Sequence, residues 1–299
     1  MTLANRYRHD HGNLLKQLIV TADDFGLVPA VNEAVEEAHR HGILSAASLM
    51  VTAPAAADAV ARAKRLPRLG VGLHLVLVDG QPALPPEQIP DLVGPDGRFP
   101  TNVTMAGINI FFRPRVREQL EREIRAQLEL FRKTGLALDH VNSHHHFHVH
   151  PTIAATLVRL ASEYGIKAVR VPIEEPIESW RATGDRLARR VFGWASEAPW
   201  AESLRRRLDR AGIRFNDRVL GLSDTGDMRR ERVARYLSNL PGGVSELYVH
   251  AAVERWSGPG SWPQNYACRG EFEALVDATV IAILRQADIR PVTFAALTP

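Results

Sequence analysis

The chain has 299 residues, 45% hydrophobic, 24% charged and 7% aromatic, which is the composition of an ordinary soluble globular protein. That balance excludes a disordered chain, a collagen-like repeat and a disulfide scaffold, and the one cysteine, Cys268, has no partner for an internal bridge. The 37 basic residues exceed the 34 acidic ones by a formal +3, too small an excess to call for nucleic acid.

Residues 1–16 are polar and predict an N-terminal tail without the apolar core of an export signal. No run of about 18 apolar residues offers a membrane span. The apolar stretch 17–22 predicts a buried strand. Residues 32–41 predict a helix with Ala34, Val35 and Ala38 on one face and Gly42 as its stop. A strand over 46–51, an alanine-rich helix over 55–65 and a strand over 71–78, interrupted by His74, follow. Residues 79–109 are rich in proline and glycine and predict a long irregular excursion. Leu120, Ile124, Leu128 and Phe131 form the apolar stripe of a helix over 115–134. Then come a strand over 137–142, a helix after Pro151, a strand over 168–172 and an arginine-rich helical excursion over 177–218. A strand over 246–250, a helix over 272–286 and a strand over 291–295 complete the chain. Strands alternating with helices predict a parallel sheet under covering helices. A single α/β domain over 17–299, a closed or nearly closed β/α barrel, fits the length; an open doubly wound sheet is the second option.

Three features carry chemistry, each at or near the end of a predicted strand, where parallel folds place their sites. They are the pair Asp23-Asp24, the isolated His74, and the tract 143–150 (SHHHFHVH). Six of the 12 histidines lie between His140 and His150. An Asp pair at a strand end also serves as a turn or helix cap, and a lone histidine also serves as a hydrogen-bonded core residue. A packed core gains nothing from so many imidazoles, so a metal tract is the better account of the histidines. One carboxylate and two imidazoles on a divalent cation leave coordination positions open, a catalytic pattern. A second carboxylate beside them can take a proton from a water.

The strings TADDFG (21–26), GLHL (72–75) and NSHHHFH (142–148), in this order, resemble the YdjC-like carbohydrate deacetylases, a branch of the polysaccharide deacetylases with a distorted β/α barrel. The similarity runs from about Leu18 to about Phe294. The resemblance implies one divalent metal ion, magnesium or zinc, on Asp24, His74 and His144, with Asp23 as general base. It implies further roles near the substrate for His146 and His148, and leaves His140, His145 and His150 to supporting or solvated positions. Two weaker matches imply that Arg170 orients Asp23 or binds substrate, and that His250 protonates the leaving amine. Two departures stand out: Asn142 occupies a position where the pattern has Asp, and Ala251 follows His250 where many relatives have Pro.

The implied reaction removes the N-acetyl group from an N-acetylglucosaminyl substrate. The similarity is nearest to the hopanoid-biosynthesis branch, which implies a glycolipid. Trp180, Trp194 and Trp200 share the segment 177–218 with Arg186, Arg189, Arg190, Arg205, Arg206, Arg207 and Arg210. Such a stretch suits a lipid interface or a solvated outer helix. The expected protein is cytoplasmic, with or without peripheral contact to the inner membrane, and its oligomeric state is open, a homodimer among the options. The alternatives are a deacetylase of soluble chito-oligosaccharides, a non-catalytic histidine-rich metal binder, and a phosphoesterase, for which too few carboxylates lie near the motifs.

Overall fold

The computed structural model describes residues 15–257 and 261–297. Of the predicted tail only Leu15 and Lys16 fall among them, and Lys16 already belongs to the first strand.

Strand β1 (Lys16–Phe25) is buried from Gln17 onward and forms the axis of the sheet. It pairs in parallel with β2 (Ala46–Leu49), with β6 (Gly243–Val249) and, at its start, with β7 (Ile289–Pro291). Beyond β2 lie β3 (Gly70–Leu75) and β4 (Val141–Ser143), and beyond β6 lies β5 (Arg218–Leu220), giving the order β4-β3-β2-β1-β6-β5. Residues 168–173 connect the two outer strands. Val169 bridges Val141, Ala168 bridges Arg214, and the Val219 N–H donates to the Ile173 carbonyl at 2.7 Å. The sheet therefore closes toward a distorted barrel of parallel strands, the expected class. Buried on both faces, these strands read as nearly continuous apolar runs.

Helices α1 (Pro29–His41) and α2 (Ala56–Ala63) follow β1 and β2. Helix α4 (Pro114–Thr134) buries Leu120, Ile124, Leu128 and Phe131 as its periodicity demands, each such side chain contributing about 1.5–3 kcal/mol. It stops at Gly135, whose φ of 76° suits a residue without a Cβ. Helices α5 (Pro151–Tyr164), α6 (Pro176–Thr183), α7 (Leu187–Arg210), α8 (Arg230–Ser238), α9 (Cys268–Val276) and α10 (Ala278–Gln286) complete the layer.

Several expectations are corrected. The excursion over 79–109 ends in a helix, α3 (Val103–Phe112), because Asn102 caps it by accepting the Met105 N–H at 3.0 Å. The strand over 137–142 begins only at Val141, and that over 168–172 reduces to isolated bridges. The helix over 272–286 is two helices, since the Asp277 carboxylate accepts the N–H groups of Thr279 and Val280 and restarts the chain. The last strand is Ile289–Pro291 rather than 291–295. The excursion over 177–218 is two helices separated at Gly184, and β5 and α8 were not anticipated.

Candidate active site

The end of β1 carries both carboxylates. Between Ala22 and Phe25 the pairing with β2 shifts register, and Asp24 has a left-handed backbone, φ 61°. Aspartate tolerates that region better than most residues, at a cost on the order of 1 kcal/mol. The turn beyond is pinned by the Leu27 N–H on the Asp24 carbonyl (2.9 Å) and the Gly26 N–H on Asn32 Oδ1 (2.8 Å). Without the shift, adjacent strand residues would face opposite sides of the sheet. With it, Asp23 and Asp24 line the same cavity, of about 790 Å³.

Asp24, His74 and His144 converge. His74 Nε2 stands 3.1 Å and His144 Nδ1 3.2 Å from Asp24 Oδ1, while Trp262 Nε1–H donates to Asp24 Oδ2 at 2.8 Å. Burial works against charge on both sides of this contact, and the mutual attraction outweighs it. The Asp24 carboxyl is held well below the usual range by His144 and His74, and the His144 pKa is raised by Asp24.

The chemistry of these donors fits a divalent cation. Asn142 Nδ2 donates to Asp23 Oδ1 (3.2 Å) and Ser48 Oγ (2.8 Å), so its Oδ1 faces His74 Nδ1 at 2.7 Å and must accept from it. That fixes the proton of a neutral His74 on Nδ1 and leaves a lone pair on Nε2, pointing at a carboxylate oxygen. A cation between them resolves the conflict. Two ligands about 2.1 Å from one ion stand about 3.0 Å apart in an octahedral shell and about 3.4 Å apart in a tetrahedral one, which brackets the observed spacings. Asn142 is thus no ligand itself; it aims His74 and steadies Asp23. Behind it the chain Ser48–His140–Asp139 continues at 3.0 and 2.9 Å. Gly72 of the GLHL string makes room there, since a Cβ would lie 2.4 Å from the His140 ring.

Asp23 is gripped by Arg170, whose Nη1 and Nη2 donate to its two oxygens at 2.6 and 3.0 Å. The same buried guanidinium reaches Glu246 on β6 at 2.9 and 2.7 Å, and Glu246 accepts from Thr21 Oγ1 at 2.7 Å. Burial raises the Asp23 pKa, but Arg170 and His74 overcome it and hold the carboxyl far below its ordinary value.

His250 lies just past β6. Burial pushes its pKa down, against the pull of Asp24 and Asp23. Its backbone N–H donates to Glu271 at 2.6 Å, and its ring sits among Tyr248, Trp262 and Tyr266. The Nδ1 atoms of His250 and His146 are buried without a hydrogen-bond partner, and both residues line the cavity. Buried polar atoms are rarely left unpaired, so these two are natural contacts for a bound molecule.

The remaining histidines separate by backbone. His145 and His146 both take left-handed conformations, φ 54° and 52°, which fans the imidazoles of the tract in different directions. His148 points behind the cavity. It accepts from Ser143 Oγ at Nδ1 (2.8 Å) and donates Nε2–H to the Arg170 carbonyl (2.9 Å). Burial drives its pKa down to about 3, so it is neutral. His150 caps α5 by accepting the Thr152 N–H.

Sequence reasoning missed Trp262, Glu246, Tyr248 and Glu271. Trp256, Trp262 and Tyr266 are an aromatic cluster in a short stretch, the one signal that could have drawn attention to that loop. Four of the seven arginines singled out in 177–218 are engaged with carboxylates. Arg190 is buried against Asp185 and Asp224, Arg186 pairs with Asp224 and Asp227, and Arg205 and Arg206 pair with Glu202. The tryptophans Trp180, Trp194 and Trp200 do stand exposed. Phe192 on α7 is 78% exposed and Phe112 on α3 is 70% exposed. Glu197 of α7 lines the cavity, whereas Gly107 of α3 faces Phe147 and His150, outside its lining. No helix among the described residues is long and apolar enough to cross a membrane.

Comparison with known proteins follows the same lines. The profile of the YdjC-like protein family matches residues 17–286. A carbohydrate deacetylase of Brevibacillus brevis is 44% identical over 160 residues, 54% of this chain and 59% of that protein. The match to the Geobacillus stearothermophilus carbohydrate deacetylase likewise spans 60% of its length. The mouse carbohydrate deacetylase is 32% identical over 282 residues, 85% of each chain. Among solved structures, an Enterococcus faecalis protein named for cellobiose-phosphate cleavage superposes with a TM-score of 0.73 at 25% identity, covering 95% of this chain and 100% of that one.

Proposed function

The chain belongs to the YdjC-like family, and from that premise we propose that it is a metal-dependent hydrolase removing the N-acetyl group from an N-acetylglucosaminyl glycolipid, in the first instance a hopanoid. The observation that carries the reading is the convergence of His74 and His144 on Asp24, beside an Asp23 whose oxygens both accept from Arg170. A phosphoesterase reading would need more carboxylates for two metals.

In this reading Asp24, His74 and His144 hold one divalent ion; two imidazoles suit zinc better than magnesium, which prefers oxygen ligands. When bound, the ion supplies Lewis acidity toward the acetyl carbonyl and makes a nearby water more acidic. Asp23 stays ionised throughout the neutral range and takes the proton of the attacking water. Arg170 and Asn142 fix the direction of its lone pairs, so little reorganisation is needed. His250, which also lines the cavity, carries the proton to the departing sugar amine. Acetate and the free amine are the products. Tyr248, Trp262 and Tyr266 give the cavity flat apolar walls suited to a pyranose ring.

The exposed apolar residues of α7, the helix that also contributes Glu197 to the cavity, support the glycolipid over a soluble sugar by offering an apolar surface to a lipid. The test is acetate release from an N-acetylglucosaminyl lipid and from N,N'-diacetylchitobiose, with wild type, Asp23→Asn and His144→Ala. Both variants should lose about 100-fold or more, the range of a lost general base, with metal still bound in Asp23→Asn. Acetate released from neither substrate by wild type sinks the reading. Release from chitobiose alone transfers it to soluble oligosaccharides.

A further inference from the structure

His144 belongs to a second group of candidate ligands. Asp79, His144 and His145 each bring a donor atom within 4.8 Å of the others, at the outer edge of the same cavity. His145 Nε2 stands 3.5 Å from Asp79 Oδ2, close to the about 3.4 Å edge of a tetrahedral zinc shell. The His144 and His145 rings lie 4.2 Å apart, centroid to centroid, edge to face. The backbone presents these donors deliberately. Asp79 and His145 both sit in the left-handed region, φ 50° and 54°, although neither is glycine. The Asp79 loop is anchored by its N–H on the Pro100 carbonyl at 3.0 Å.

We propose that Asp79, His145 and His144 form a second, solvent-facing divalent cation site, distinct from the inner trio and sharing His144 with it; with both ions bound His144 bridges them as an imidazolate, its ring proton passing to solvent. The donor set, one carboxylate and two imidazoles, repeats that of the inner site and selects zinc-like ions. The two sites differ in burial. Asp24 and His74 are buried, whereas Asp79 and His145 are exposed, so the outer ion competes with water for its ligands and binds more weakly. An ion there stands in the cavity mouth. The outer site therefore fills as zinc rises above what the inner site needs, and the filled mouth slows turnover. The inference builds on the inner metal reading but does not share its test.

The experiment is zinc titration of the metal-stripped full chain by calorimetry and equilibrium dialysis. Wild type should take two ions per chain in two phases. Asp79→Asn and His145→Ala should each keep the tighter ion and weaken the second at least ten-fold, with unchanged circular dichroism. Asp24→Asn should do the opposite, losing the tighter ion and keeping the weaker. A wild type that saturates with one ion unaffected by Asp79→Asn and His145→Ala overturns the proposal, as does a second ion that persists undiminished in both variants. A single ion in wild type that both variants weaken would instead fault the inner site and leave the outer one standing.

Discussion

Two buried networks of arginine and carboxylate stabilise this molecule, and only one of them faces the cavity. At the site, Arg170 lies between Asp23 and Glu246, and among the described residues it is the one guanidinium on either carboxylate. Between α6, α7 and α8, Arg190 is equally buried, but Asp224 there also receives Arg186 and Arg232, and Asp185 receives Arg190 and Arg232. Tyr236 adds a hydroxyl that donates to Asp224 at 2.7 Å. The second network has more charges and no imidazole. Density of charge therefore does not mark the reactive place. What marks it is a carboxylate held by a single cation, with histidines at hand that retain free lone pairs.

That contrast sets the order of expected effects. Arg170→Ala leaves two buried carboxylates without a counter-charge, and should cost roughly 3–5 kcal/mol of stability in urea unfolding. Acetate release per folded molecule should fall as well, because Asp23 loses its orientation. Arg190→Ala leaves Asp224 with two arginines and should cost less, about 1–3 kcal/mol, with kcat unchanged. Equal losses of activity in the two variants would erase the distinction between the networks.

Acid dependence separates two buried groups next. The His148 pKa falls from 6.5 to about 3, so its contribution is present above pH 6.5 and lost as pH drops toward 3. Glu271 runs the other way. Burial raises it from 4.5 to about 7 against the backbone donors Met228 and His250, so its contribution is full below pH 4.5 and lost as pH rises to 7. Each can tilt the stability profile by at most about 1.4 kcal/mol per pH unit. Unfolding midpoints from pH 5 to 7 should therefore become less acid-sensitive in His148→Gln and more so in Glu271→Gln; parallel profiles for all three proteins would refute the assignment. The smallest effect concerns the rim. Trp194→Ala and Arg206→Glu should reduce flotation with anionic liposomes a few-fold while sparing chitobiose turnover. Equal flotation of all forms, or none, removes the membrane contact.

The carboxylate- and imidazole-bearing ends of β1, β3 and β4 were legible because each breaks an apolar run with residues that a core does not accept. Helix α4 was legible from its stripe. Helix α8 was not, since its sequence RERVARYLS buries only Val233, Tyr236 and Leu237. Helix α3 was hidden by the prolines and glycines before it. Glu246 and Trp262 escaped for another reason. Their meaning lies in contacts with Thr21 and Asp24, 225 and 238 residues away, and no local pattern announces a partner at that range. Asn142 appeared as a lost charge and turned out to be a hinge of hydrogen bonds between His74 and Asp23.

The displaced pairing at the end of β1 makes this strand intolerant of length change. Inserting a single residue upstream of Asp23 would put the carboxylate that now accepts from Arg170 where its neighbour meets the imidazoles, and would leave the other stranded in the turn. Every side chain would survive such an insertion, yet their division of labour would be scrambled. The exposed turn at 85–88 between β3 and α3, by contrast, lies outside the cavity lining, so variation among relatives should accumulate there and leave the ten residues of β1 at constant length.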